Sequence, residues 1–146
     1  MESFKLIGSA YFELRQNGKV IDKWEVNNII VNDGKERVAK LIGALSSTGF
    51  QYIGIGEGAT GATVNDSELE TEQKRTLATI AYEASNKVIF EKTFSFASGE
   101  SFAITEAGLF DSLTASGSIM LDRLVFSAKN VDSEIDLYVK ITITVT

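Results

Sequence analysis

The C-terminal residues alternate without a break: Ile135, Leu137, Val139, Ile141, Ile143 and Val145 are apolar, whereas Asp136, Tyr138, Lys140, Thr142, Thr144 and Thr146 are not. A period of two marks a β-strand with one face on a core. The other face must meet solvent or a partner, because polar side chains buried on it would lose their hydrogen bonds. Such a strand belongs in an antiparallel sheet. Near the start, Phe4 to Arg15 and Lys19 to Val31 are two β-rich runs separated by Asn17 and Gly18. That pair best tolerates the two positive φ angles of a type I′ turn, so the spacing predicts a hairpin over residues 1–31 that can project from the domain.

Asp33 and Glu36 have capping-box spacing ahead of Val38, Leu41, Ile42 and Leu45, which recur at helical intervals. One short helix over 34–45 is expected. The rest, 50–146, reads as strands near 50–56, 76–84, 87–97, 102–110 and 117–127, with Val88, Phe90, Phe94 and Phe96 on one parity and a turn at Ser85-Asn86. Short strands punctuated by turns, with one helix, predict a single mainly β domain over 1–146. The expected architecture is an antiparallel β-sandwich, immunoglobulin-like or jelly-roll-like.

Composition narrows the chemistry. The 146 residues include no Cys, no His and no Pro, which excludes disulfides, thiolate or His-ligated metal sites and every catalytic arrangement built on those side chains. With 14 basic against 20 acidic residues the net charge is -6, the wrong sign for a protein that tracks a phosphate backbone. The acidity is local, since Glu57, Asp66, Glu68, Glu70 and Glu72 fall in a stretch without a base. No apolar run is long enough to span a membrane and the N-terminus lacks a signal-peptide pattern.

Two constellations invite a catalytic or ligand-binding reading. Gly56-Glu57-Gly58-Ala59-Thr60-Gly61 spells a dinucleotide-loop pattern after an expected strand, but the polar, acidic segment that follows cannot offer a helix N-terminus to a phosphate. The bland reading is a Gly-rich loop. The acidic stretch lacks the glycine and spacing of a calcium loop and reads more simply as a solvated face, while a pair such as Glu106 and Asp111 could be imagined as glycosidase carboxylates. Glu106 lies in the mostly uncharged run Phe102 to Phe110, so a buried carboxylate there needs a partner. Arg75 is the expected one, in a charge-assisted pair that locks the loop onto the sandwich; the alternative leaves both charges in solvent. Trp24, Phe50 and Tyr52 are either core or interface aromatics, and Thr142 and Thr144 present a polar β-favouring face suited to water or an oligomer contact.

The string Ala103-Ile104-Thr105-Glu106-Ala107-Gly108-Leu109-Phe110-Asp111, then Gly117 to Phe126 and the alternating terminal strand, resembles a family of small bacteriophage virion proteins associated with tails, collars and fibres. Ile53 to Gly58, the acidic run 66–72 and Arg75 are similar to that family's Gly-rich turn, acidic segment and arginine in order and spacing, and Asn28 to Asn32 to its lead into a short helix. The likeness spans about residues 26 to 146; prolines usual in the family after the Gly-rich turn and near the last hairpin are absent here. It implies a non-enzymatic structural part with no cofactor, metal or catalytic residue. Its implied partners are copies of itself, in a ring or trimer, and other tail, neck or fibre proteins, with no nucleic acid or membrane partner. The implied location is the virion, after assembly in the host bacterial cytoplasm. The alternatives are a module that binds host-surface saccharide through Trp24, Tyr52 or Tyr82, and a capsid decoration protein.

Overall fold

The computed structural model describes residues 3–146, which form a mainly antiparallel β structure with one short helix. Strands β1 (Leu6–Gln16) and β2 (Lys19–Asn27) form the N-terminal hairpin. Asn17 and Gly18 between them have φ of 52° and 75°, the doubly positive turn the sequence called for. The hairpin does not project: β1 pairs with β10 (Ile135–Val145) along its whole length, from Leu6↔Val145 to Gln16↔Ile135. On its other side β10 pairs with β7 (Lys87–Phe94), which pairs in turn with β6 (Thr79–Glu83). One layer therefore runs β2-β1-β10-β7-β6.

The second layer runs β3-β9-β8-β4-β5, with β3 (Ile29–Ile30), β4 (Tyr52–Gly56), β5 (Glu72–Leu77), β8 (Ser101–Phe110) and β9 (Met120–Asp132). A single residue pair, Ile135↔Asp132 at the β9–β10 corner, joins the two layers into a continuous 10-stranded sheet. The chain also crosses between layers at Asn28, at Ala78 and through the loop after β7. The run 76–84, expected as one strand, is split at Ala78, which is buried and donates its N–H to Gln51 O. That crossing sends β5 and β6 to different layers.

Between the layers lies one apolar core. Phe12, Phe90, Phe94, Leu137, Val139 and Ile141 meet Ile53, Ile55, Ile104, Leu109 and Leu124, all buried. Phe12 stacks on Trp24 with centroids 5.0 Å apart and tilts against Phe126 at 4.8 Å, contacts that add to the burial of both rings. The parity of β10 holds, since Leu137, Val139, Ile141 and Ile143 are buried and the intervening residues are not. A smaller cluster of Val31, Leu69, Phe110 and Met120 sits on the other side of the second layer, beneath the 57–71 loop.

Helix α1 (Asn32–Ile42) begins earlier than expected, at an N-cap Val31 with no side-chain cap bond. Asp33 is already inside the helix, so no capping box forms. Asn32 N–H instead donates to Val64 O, a tertiary contact that replaces the cap. At the other end Ala44 adopts φ 56°, its N–H donates to Leu41 O and that of Leu45 to Lys40 O. This is a Schellman closure with alanine in the left-handed position usually held by glycine.

Candidate functional site

Strand alternation puts Glu106, Gly108 and Phe110 of β8, Gly54 and Gly56 of β4, and Arg123 of β9 on the outward face of the second layer, away from the main core. The acidic loop 57–71 lies flat on this face. It can do so because side chains are missing beneath it. A Cβ on Gly56 would meet Thr71 O and stand 2.6 Å from Glu106 Oε2; one on Gly58 would stand 2.5 Å from the same oxygen; one on Gly108 would stand 2.6 Å from Asp122 O. The Gly-rich string is thus a close-approach surface, and the Gly58 N–H that a phosphate would need is donated to Glu106.

Glu106 is fully buried and accepts four hydrogen bonds. Its Oε2 receives the N–H groups of Gly58 at 2.7 Å and Thr71 at 2.8 Å; its Oε1 receives the N–H of Glu70 at 2.8 Å and Arg123 Nε at 3.0 Å. Arg123, also buried, reaches on to Asp66 Oδ2 at 3.0 Å. Burial alone would raise the Asp66 carboxyl, but the N–H and hydroxyl of Thr63 and the Arg123 guanidinium together hold it below the usual value. Thr105 Oγ1 donates to Gly58 O at 2.8 Å, completing the attachment of the loop.

Arg75 is not the partner of Glu106. It forks onto Glu72, with Nε to Oε2 at 2.9 Å and Nη2 to Oε1 at 2.7 Å, donates from Nη1 to Ser112 O and Ser118 Oγ, and lies 3.6 Å over the Phe110 ring. The register explains the exchange. Arg75, on β5, pairs across from Gly54 of β4 and so lies two strands from Glu106, while Arg123 on β9, adjacent to β8, pairs across from Gly108 and is the diagonal neighbour of Glu106. Arg75 still locks a loop to the sheet, but a different one, the turn at 112–118.

The acidic stretch is a solvated face only in part: Glu68 and Glu70 are exposed, but most of its carboxylates are engaged. Glu57 Oε2 accepts Ala103 N–H at 2.9 Å, Glu70 accepts the N–H groups of Ala59 and Thr60, and Asp66 and Glu72 hold the two arginines. Asp111 is likewise engaged, by Arg37 at 2.7 Å and Ile119 N–H at 2.7 Å. Among the described residues no group of three or more carboxylates gathers closely enough to hold a metal ion.

A second buried acid ties the two layers together. Asp122 is wholly buried, accepts Leu109 N–H at 2.9 Å and is hydrogen-bonded by the Asn28 amide, while Asn28 N–H donates to Gly8 O of β1. Burial pushes the Asp122 carboxyl up to about 6, against the lowering effect of both bonds.

The expected interface aromatics divide. Phe50 is core, next to Gln51, whose N–H donates to Phe110 O and whose O accepts Ala78 N–H, and it offers no contact surface. Trp24 is half-buried on Phe12 beneath Lys129, whose Nζ lies 4.6 Å from the ring; Tyr52 is half-buried on the small outer cluster. Trp24, Tyr52 and Tyr82 lie on β2, β4 and β6 respectively, so they do not form one aromatic platform. Thr142 and Thr144 stay on the outer face of the first layer, across from Ser9 and Ile7, half-buried by their neighbours.

The open apolar surface lies elsewhere. A groove of about 530 Å³ runs between the start of the chain and α1, floored by Phe4, Leu6, Val38 and Ile42 and rimmed by Lys5 and Lys35. Leu45 beyond the helix is 82% exposed, and on β6 Tyr82 is 74% and Ile80 40% exposed. The sequence pointed to neither area as an apolar surface, although Tyr82 of the second was a candidate saccharide contact; the signal there was Ile80 and Tyr82 in a run carrying a single charge, Glu83. No protein-family model, no curated protein and no solved structure matches this chain.

Proposed function

We propose that this chain is a non-enzymatic structural part of a bacteriophage particle, a tail, neck or collar protein that assembles with copies of itself and contacts other tail or fibre proteins. The observation that supports the reading most is the division of labour among its side chains. Glu106, Asp66, Glu70 and Glu72, which sequence alone offered as chemistry, are taken up with Arg75 and Arg123 in fastening loops to the sheet. Beside its charged surface the chain also leaves apolar area open, in the groove at Phe4 and Ile42 and along the free strand β6. Surfaces of that kind suit packing against other protein chains. The motif Ile104 to Phe110, which carries the likeness to phage virion proteins, supports the same reading as a scaffold element, because each of Thr105, Glu106, Gly108 and Leu109 makes or permits a fold-fixing contact.

The test is immunogold labelling of purified phage particles with antibody raised against the folded protein. Label at a fixed position on the tail or neck is expected. Particles that assemble normally and carry none would overturn the proposal.

A further inference from the structure

The two edges of the first layer are built differently. β2 carries Lys19, Asp22, Lys23 and Glu25 along nine residues, has a register bulge against β1 at Leu14/Arg15, and turns Trp24 and Val26 onto the core. Charges and bulges are how natural sheets keep an edge from pairing with another chain. β6 has neither device. All five of its residues are exposed, it pairs regularly with β7 alone, and its only charge is the terminal Glu83. Ile80 and Tyr82 lie across from Phe90 and Val88 and so face the core side, yet both remain exposed because the second layer does not extend over them. The strand thus offers an unpaired row of backbone groups together with uncovered apolar side chains.

We infer that a second copy of this chain adds to β6, antiparallel, about a twofold axis normal to the sheet, so that two five-stranded layers become one of ten. The inference rests on the reading of the chain as a self-assembling part and names the surface that does it. β6 against β6 is the antiparallel join that keeps the core sides of both layers on the same side of the sheet. A register centred on Ala81 sets Ile80 against the partner's Tyr82 and Tyr82 against the partner's Ile80, two aromatic–aliphatic pairs of the kind that stabilise cross-strand contacts. The charges fit the same register. Glu83 falls against the partner's Thr79 and has Lys87 beside it in its own β7, so no like charges face each other across the seam although each chain carries a net charge of -6.

Light scattering from about 1 to 100 µM protein reads the result. Ala81 is exposed on the outer face, across from Ile89, and a charged residue there leaves the monomer intact, which an unchanged melting curve at the lowest concentration verifies. The wild type is expected to dimerise. Ala81→Lys and Ala81→Glu each set like charges face to face on the axis and are expected to weaken the dimer about a hundred-fold. An equal mixture of the two restores it by pairing opposite charges. A wild-type protein that stays monomeric, an assembly of odd order, or single variants that dimerise as well as the wild type would overturn the seam. A larger assembly indifferent to Ala81 overturns the seam but leaves self-assembly standing. A dimer that responds as described, from a protein absent from particles, keeps the seam and overturns the virion reading.

Discussion

Replacing Glu106 with glutamine keeps the shape of the side chain and removes its charge. The two carboxylate oxygens each accept two donors, Glu70 N–H and Arg123 Nε on one, Gly58 and Thr71 N–H on the other. Whichever way the amide turns, its NH2 must face two donors, so two buried bonds are lost and Arg123 keeps only Asp66 as a counter-charge. Bonds to a charged acceptor contribute about 1.5–3 kcal/mol each, and breaking a buried ion pair costs about 3–5 kcal/mol, so the two views of the same event agree on about 4 kcal/mol. For a domain of this size that is a fall in Tm of about 10 °C. Thermal denaturation followed by circular dichroism at neutral pH measures it. A double-mutant cycle then identifies the partner: Glu106→Gln combined with Arg123→Met should show coupling of about 2 kcal/mol or more, and combined with Arg75→Met close to none. A Glu106→Gln loss below about 1 kcal/mol, or coupling to Arg75 in place of Arg123, would refute the reasoning.

Asp122 gives a pH signature of definite sign. Its carboxyl titrates near 6 in the folded chain against 3.8 ordinarily, so the native state keeps a proton that the unfolded chain has released. That contribution is whole below about pH 4 and is lost as pH rises through 6, about 3 kcal/mol in all. Urea unfolding of Asp122→Asn relative to wild type should therefore improve by this amount between the two ends of the window, and a pH-independent difference would contradict it. Ala44→Gly relieves the left-handed alanine at the helix end (φ 56°) and should raise stability by about 0.5–1 kcal/mol, read as a higher urea midpoint. Gly56→Ala drives a methyl into Thr71 O and Glu106 Oε2; it should cost about 3 kcal/mol and open the 57–71 loop to limited proteolysis, whereas Gly61→Ala, which meets nothing within 4 Å, should change stability by less than about 0.5 kcal/mol.

Local signals in the sequence translated into structure where one strand or turn carries the information. The β10 alternation, the Asn17-Gly18 turn and the shared parity of Val88, Phe90 and Phe94 needed no tertiary knowledge, because pleat and φ preference act within a few residues. Failures occurred where a distant residue decides. The helix starts early because Val64 O satisfies Asn32 N–H from 32 residues away, a substitute for the expected cap. The 76–84 run breaks because Ala78 bonds Gln51 and changes layers. The buried carboxylate at 106 was legible as one needing a partner. Its partner was not, since nothing local tells Arg75 from Arg123; only the order of β4, β8 and β9 does. The adjacent charges of Asp122 and Arg123 inside the apolar run from Met120 to Phe126 were the overlooked cue, one for each face of the strand.

The most direct test of the structural role is a cryo-microscopy reconstruction of the phage particle. The account predicts density on the tail, neck or collar into which the two five-stranded layers and α1 fit as a rigid body, in symmetry-related copies. A complete reconstruction in which every tail, neck and collar density is filled by other chains would contradict it.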